Sequence, residues 1–331
     1  MPLLEVNNLE VCFGLRSGAV KALRDVSFTL ERGERLGVVG ESGAGKSVLG
    51  FSILNLLSQP GYISAGNVNF DGKDLAKMSA AELRAIRGNK ISMIFQDPMM
   101  TLNPVLTIGD QMIECLLAHR KINQAAARAI ALQKLKQVQI PSPEKRLDQY
   151  PHELSGGMRQ RIVIAIGLLL DPDIIIADEP TTALDVTIQA EIMDLMLNLC
   201  EQNNVSLILI THDLGVVSQV TKKMLVMYAG RIIEQGPTKE IINDAQHPYT
   251  QGLMNALPQM ALPGKKLNQI KGSMPPLQRI PKGCSFNPRC EYVMEVCKHN
   301  LPTFTPSGNC QVACHLVAEL KRENKIMSEE V

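Results

Sequence analysis

Eight consecutive residues, Gly40-Glu41-Ser42-Gly43-Ala44-Gly45-Lys46-Ser47, satisfy the pattern G-x-x-x-x-G-K-S/T. Glycines at this spacing let the backbone curl so that successive N–H groups point at the β- and γ-phosphates of a nucleoside triphosphate. Lys46 supplies a point charge for the γ-phosphate, and the Ser47 hydroxyl is a ligand for Mg2+. A pair of carboxylates, Asp178-Glu179, follows the apolar run Ile174-Ile175-Ile176-Ala177. Strand alternation at that point predicts side chains leaving on opposite sides. Asp178 then serves the Mg2+ shell while Glu179 polarises a water for in-line attack on the γ-phosphate. The phosphate pattern alone says only that a nucleotide binds. Without an N-K-x-D guanine signature, adenine is the preferred base.

A third group of reactive side chains lies near the end of the sequence. Cys284, Cys290, Cys297, Cys310 and Cys314 fall within 31 residues, whereas Cys12, Cys115 and Cys200 are scattered through apolar surroundings and read as buried free thiols. In a reducing compartment the cluster reads as a metal site rather than a disulfide framework. Four thiolates suit a tetrahedral zinc ion or a 4Fe–4S cluster, and the absence of C-x2-C spacing weakens the zinc reading. His299 and His315 are further donor types in the same stretch.

The elements that must position these residues follow from apolar patterning. Arg35–Val39, Ser92–Phe95, Ile174–Ala177 and Leu207–Ile210 are short apolar runs suited to strands buried on both faces. They alternate with helix-like segments, which implies an α/β fold with a largely parallel sheet. The phosphate pattern sits between the first of these strands and an apolar helix over Val48–Leu57, the context it requires. Asn67–Phe70 and the pair Leu225–Tyr228 and Arg231–Glu234, joined by Ala229-Gly230, read as antiparallel hairpin strands. Ser79-Ala80-Ala81-Glu82 has capping-box spacing for a short helix. Between Pro98 and Pro151 the stripes Ile113/Leu116/Leu117 and Ala131/Leu135/Val138 predict amphipathic helices with no strand between them.

At Leu154-Ser155-Gly156-Gly157-Met158-Arg159-Gln160-Arg161 the sequence resembles the signature of the ATP-binding cassette (ABC) ATPases. Ser155, Gly156 and Gly157 open a helix expected to begin near Met158, presenting a second N-terminal dipole to a phosphate. The resemblance implies a P-loop NTPase cassette, a RecA-like core with an antiparallel β subdomain and a helical insertion. It implies two cassettes sandwiching two ATP molecules, so a partner cassette is obligatory. It also assigns roles to residues in the expected order. Phe13 matches the aromatic that stacks on adenine. Gln96 matches the Q-loop, which reaches Mg2+ or the attacking water. Ala183-Leu184-Asp185 matches the D-loop at the dimer interface, and His212 matches the switch histidine on the γ-phosphate.

Tyr150-Pro151-His152-Glu153, His247-Pro248-Tyr249-Thr250-Gln251 and Gly283-Cys284-Ser285-Phe286-Asn287-Pro288-Arg289-Cys290 narrow the resemblance to the oligopeptide/dipeptide importer ATPases. That resemblance favours a 4Fe–4S cluster on Cys284, Cys290, Cys297 and Cys314, with Cys310 a bystander. It implies a second, non-identical ATPase, two transmembrane permease subunits and, indirectly, a periplasmic or lipoprotein substrate-binding protein. The expected location is the cytoplasmic face of the bacterial inner membrane, peripherally bound. Nickel or another small solute is the alternative cargo, and a soluble ABC ATPase acting on nucleic acid or ribosomes is the rival of another class.

Composition agrees with this reading. With 34 Lys+Arg against 33 Asp+Glu the net charge is +1, no Trp is present and aromatics are 4%, which argues against a nucleic-acid surface. No apolar run reaches the ~20 residues of a bilayer span, and Met-Pro-Leu-Leu-Glu-Val lacks a leader's basic and apolar regions, so export is not expected. The expected division is a cassette over 1–255 with a helical subdomain at about 98–165, a Pro-rich linker over 256–283, a Cys-rich extension over 284–320 and a flexible tail over 321–331.

Overall fold

The computed structural model describes residues 1–16, 18–182, 185–256 and 270–320. The tail 321–331, linker residues 257–269 and Ala183-Leu184 of the D-loop motif lie outside the described residues. The chain divides into two compact units. One comprises Leu4–Thr29, Leu36–Ala76 and Thr211–Val331; the other comprises Met1–Leu3, Leu30–Arg35 and Lys77–Ile210.

The first unit opens with β1 (Leu4–Leu15), β2 (Gly18–Leu30), β3 (Arg35–Val39), α1 (Lys46–Ile53), β4 (Gly61–Phe70) and β5 (Lys73–Asp74). Four of these strands form a sheet in the order β2-β1-β4-β5, with β1 antiparallel to β4. Leu4, Val6, Leu9 and Val11 of β1 are fully buried. The alternation skips one residue because Asn8 adopts φ +46° where the β1/β4 register shifts, so Leu9 rather than Asn8 turns inward. Helix α1 ends at Ile53, four residues before the sequence-predicted limit.

The second unit carries α2 (Ala80–Ile86), β6 (Ile91–Ile94), α3 (Pro98–Thr101), α4 (Ile108–His119), α5 (Gln124–Gln137), α6 (Pro143–Arg146), α7 (Gly156–Gly167), β7 (Ile174–Asp178), α8 (Val186–Gln202) and β8 (Ser206–Thr211). β6 and β7 pair in parallel, as do β7 and β8, and all of β7 and β8 is buried. The predicted capping box starts α2: Ser79 N–H donates to Glu82 Oε2 at 2.8 Å, and Glu82 N–H returns to Ser79 Oγ. No strand interrupts α3 to α6. Ala131, Leu135 and Val138 are buried as the stripe predicts. In α4 the core face is instead Ile108, Met112 and Leu116, spaced by four, while Leu117 is 39% exposed. The predicted stripe therefore straddles two faces: Leu116 points to the core, and Ile113 and Leu117 line an open groove of about 840 Å3.

The first unit resumes with α9 (Leu214–Val220), β9 (Lys223–Tyr228), β10 (Arg231–Pro237), α10 (Thr238–Asn243), α11 (Pro248–Asn255), α12 (Glu295–His299), β11 (Thr305–Ser307) and β12 (Cys310–Val312). β3 pairs with β9 in parallel, and β9–β10 is the predicted hairpin. Ala229 and Gly230 both have positive φ, +47° and +80°, the backbone of the turn that best matches strand twist. The small β11–β12 hairpin, which the sequence did not signal, adds to β10 antiparallel. Among the described residues no helix is long and apolar enough to cross a membrane.

Candidate nucleotide-binding site

The phosphate loop joins β3 to α1 in the first unit. Gly40, at φ +153°, occupies backbone space that only glycine adopts readily, and a Cβ there would lie 2.3 Å from the Met227 carbonyl oxygen. Gly43 and Gly45 also have positive φ, +82° and +101°. Gly45 is the N-cap of α1 and has no side chain with which to cap the helix. The Lys46 ammonium, 5% exposed, donates to the loop's own carbonyls, Gly40 O at 2.8 Å and Glu41 O at 3.1 Å. The loop is braced from behind, since Gly230 N–H donates to Ala44 O at 2.8 Å. Ser42 and Gly43 are exposed at the tip, while Ser47 is half-buried in the first turn of α1.

Glu41 has partners that the pattern did not announce. Its N–H donates to Tyr249 Oη at 2.8 Å, and its carboxylate accepts two hydrogen bonds from Arg289, Nη1 to Oε2 at 2.6 Å and Nη2 to Oε1 at 3.0 Å. The Glu41 carboxylate holds the guanidinium protonated above its ordinary pKa. Burial pushes the Tyr249 hydroxyl upward. Also in this unit, Phe13 is half-buried in β1, its ring close above Gly61, where a Cβ would approach Cε1 to 2.8 Å. His212 is exposed one residue past the buried β8, and the next residue, Asp213, caps α9 by accepting from Gly215 and Val216 N–H.

The second unit holds the carboxylates. Asp178 ends β7 and is 4% exposed. Glu179 is already outside the strand in a left-handed conformation, φ +46°, its N–H bound to Ile210 O at 2.8 Å. The expected divergence by strand alternation is thus corrected: a backbone turn, not the pleat, separates the two side chains. Glu179 Oε2 accepts from Gln96 Nε2 at 3.0 Å and from Thr182 Oγ1 at 3.1 Å, so the predicted base and the predicted Q-loop glutamine share a hydrogen bond. The signature helix begins at Gly156, two residues before the predicted start. Ser155 is its N-cap, with Met158 N–H donating to Ser155 Oγ. Gly157 faces α8, and a Cβ would stand 3.2 Å from Ile188 Cγ2, so close packing explains this glycine. Asp185 caps α8, accepting from Ile188 N–H at 3.0 Å.

The five cysteines of the Cys-rich stretch are free thiols, as are Cys12, Cys115 and Cys200. Burial pushes the Cys284 thiol up to about 11, and Cys297, Cys314 and Cys290 add to the rise through their charge. Burial likewise raises Cys290 and Cys314. Among the described residues no group of three or more His, Cys, Asp or Glu side chains is arranged to hold a metal ion. Cys310 lies apart from the four, against Gly236 and Glu240. His299 Nε2 meets Glu295 Oε1 and His315 Nε2 meets the Asn300 carbonyl, so both imidazoles are engaged locally.

Residues 23–182 match the ABC transporter family, and residues 233–297 match the oligopeptide/dipeptide transporter C-terminal region. The dipeptide transport ATP-binding protein DppD of Bacillus subtilis is 49% identical over 329 residues, covering 98% of both chains. The chain belongs to the ABC ATP-binding subunits of the oligopeptide/dipeptide transporter family. The oligopeptide transport ATP-binding protein OppD of Salmonella typhimurium is 47% identical over 320 residues, covering 96% of this chain and 95% of that one. The fold is the ABC cassette. It superimposes with a TM-score of 0.64 on a dimeric ATP-binding cassette solved in a post-hydrolysis state with ADP and Pi, at 27% identity over 71% of this chain and 98% of that one. An ABC cassette works with ATP and Mg2+.

Proposed function

We propose that this chain is the ATP-hydrolysing subunit of a bacterial peptide importer, coupling ATP binding and hydrolysis to uptake of di- and oligopeptides through a membrane permease. The observation that carries the reading is full-length similarity, phosphate loop to Cys-rich stretch, to relatives named for dipeptide and oligopeptide transport. In this reading the loop N–H groups of Gly40–Ser47 and the Lys46 ammonium bind the β- and γ-phosphates, and Phe13 stacks on adenine. Glu179 takes the proton of the attacking water, oriented by Gln96, and His212 contacts the γ-phosphate. Ser47, Gln96 and Asp178 hold Mg2+, which when bound neutralises phosphate charge. Ser155, Gly156, Gly157 and Asp185 serve the ATP and interface of a partner cassette, which we assign to a second, non-identical ATPase.

The partners are two transmembrane permease subunits and, indirectly, a substrate-binding protein, with the chain peripheral on the cytoplasmic face of the inner membrane. The open groove beside α4, lined by Leu106, Ile113 and Leu117 together with Asp110 and Glu114, supports the permease as the element docked on the helical insertion. We also propose the division into a cassette over 1–255, a linker over 256–283, an extension over 284–320 and a tail. Cys284, Cys290, Cys297 and Cys314 are proposed to hold a 4Fe–4S cluster. The support is the resemblance of this stretch, which lies in and just after the segment matching the oligopeptide/dipeptide transporter C-terminal region. A colourless, iron-free protein prepared anaerobically would overturn it.

The deciding experiment for function is uptake of labelled di- and oligopeptides in a strain lacking this chain. Lost peptide uptake, restored by the wild-type chain and not by Lys46→Ala, is the expected result. Normal peptide uptake with lost nickel uptake would instead establish the alternative cargo. Recovery with ribosomes or DNA rather than washed membranes would establish the soluble rival.

A further inference from the structure

The Cys-rich extension is bound to the phosphate loop within one compact unit. Arg289, 248 positions after Glu41, closes a two-pronged pair on that carboxylate, and the Arg289 side chain is only 5% exposed. Its guanidinium lies 5.9 Å from the ring centroids of both Tyr228 and Phe286. Those rings pack edge-on against Tyr249, the residue whose hydroxyl accepts the Glu41 N–H. Glu41 is therefore held at its carboxylate by Arg289 and at its amide by Tyr249, and its carbonyl accepts from the Lys46 ammonium. A second tie runs alongside. Arg24 Nη2 donates to Ser285 Oγ at 2.9 Å and to Ala229 O at 2.7 Å, while the next residue, Gly230, donates to Ala44 O.

We propose that Arg289 is a positioning residue for ATP binding: it fixes Glu41 and thereby the loop carbonyls and Lys46. The proposal rests on the reading of Gly40–Ser47 as the ATP site. The chemistry favours arginine for this task. A planar fork satisfies both carboxylate oxygens at once, and it neutralises an anion that would otherwise stand beside the incoming phosphates. Loss of Arg289 has two consequences for the loop, looser geometry and an uncompensated negative charge at its second residue. Both weaken nucleotide binding, and neither touches the base Glu179.

The test uses the full-length chain and equilibrium binding of Mg-ATP and of adenosine, with melting temperature recorded for every variant. Arg289→Ala is expected to weaken Mg-ATP binding by about tenfold or more, the scale of one charge-assisted hydrogen bond. Adenosine, which has no phosphates, should bind as to wild type. Arg289→Lys keeps the charge but loses the fork and should fall between. Glu41→Gln in the Arg289→Ala background should recover part of the ATP affinity by removing the bare carboxylate, a recovery that a purely structural role would not give. In the assembled transporter the loss should appear in KM for ATP with kcat little changed. Should Arg289→Ala fail to fold, Arg289→Lys and Glu41→Gln carry the same comparison. Unchanged Mg-ATP affinity in a folded Arg289→Ala chain, or equal losses for ATP and adenosine, overturns the proposal. A wild-type chain that does not bind Mg-ATP overturns the ATP-site reading itself.

Discussion

Replacing Glu179 with Gln separates catalysis from stability. Glu179 Oε2 receives two donors, Gln96 Nε2 and Thr182 Oγ1. A glutamine of the same shape can offer its amide oxygen to both, so no donor is stranded. What is lost is the ionic component, about 1 kcal/mol per bond, giving at most about 2 kcal/mol of folding stability. Gln96 is exposed, so solvent trims even that. The rate effect is larger: losing a general base costs about 10²- to 10⁴-fold, or ~3–5 kcal/mol of barrier. Expected is a folded chain that binds ATP within a few-fold of wild type and hydrolyses it at least 100-fold more slowly. Single-turnover hydrolysis of γ-labelled ATP, with binding and melting on the same preparation, reads all three. Glu179→Gly sharpens the comparison. Relief of the left-handed backbone, about 1 kcal/mol, offsets glycine's added unfolded-state freedom, so the stability loss should be confined to the Gln96 and Thr182 bonds while activity vanishes. Hydrolysis by Glu179→Gln within tenfold of wild type would remove Glu179 from the mechanism.

Lys46→Ala should reduce ATP affinity by about 10- to 100-fold, since one charge-assisted contact to phosphate is worth ~1.5–3 kcal/mol; unchanged affinity by calorimetry refutes the phosphate-loop role. Burial holds His247 down to about 3, well below an unfolded histidine, because no charge partner repays its desolvation. Its contribution to stability is therefore complete above about pH 6.5 and declines by about 1.4 kcal/mol per pH unit as pH falls toward 3. The neighbouring Glu234 carboxyl, raised by burial, works in the opposite direction above the ordinary carboxylate range. His247→Asn keeps a cap acceptor for Tyr249 N–H and should flatten the dependence of melting temperature between pH 6.5 and 5; an unaltered slope refutes this account. Gly236→Ala would set a Cβ 2.6 Å from Cys310 Sγ and 2.9 Å from its Cα, forcing β10 from β12 at about 1–3 kcal/mol of stability with ATP binding intact. A melting temperature equal to wild type would show that the strands yield freely.

The parallel strands were readable because both faces are buried, which leaves uninterrupted apolar runs such as Ile174–Ala177 and Leu207–Ile210. Residues of the phosphate loop and of the signature were readable because their chemistry is local: phosphate needs consecutive N–H groups, and consecutive N–H groups need glycines in sequence. Three features escaped for physical reasons. In β1 a one-residue bulge at Asn8 broke the alternation. The α4 stripe mixed two apolar faces, one for the core and one left open to a groove. Glu179's separation from Asp178 rests on a positive φ that a glutamate does not advertise. The pairing of Arg289 with Glu41 left no pattern either, because contacts across 248 positions are set by topology and not by spacing.

That pairing bears on how far the cassette can be treated as a transferable part. A graft that keeps Glu41 and omits the extension imports an unmatched anion into the phosphate loop. A graft that adds the extension to a loop without Glu41 imports a buried, unmatched cation. Either chimera inherits half of a charge balance, so swaps between importers should move Glu41, Tyr249 and Arg289 together. Sequences in this family that vary at one of the three positions should vary at the others in the same lineages.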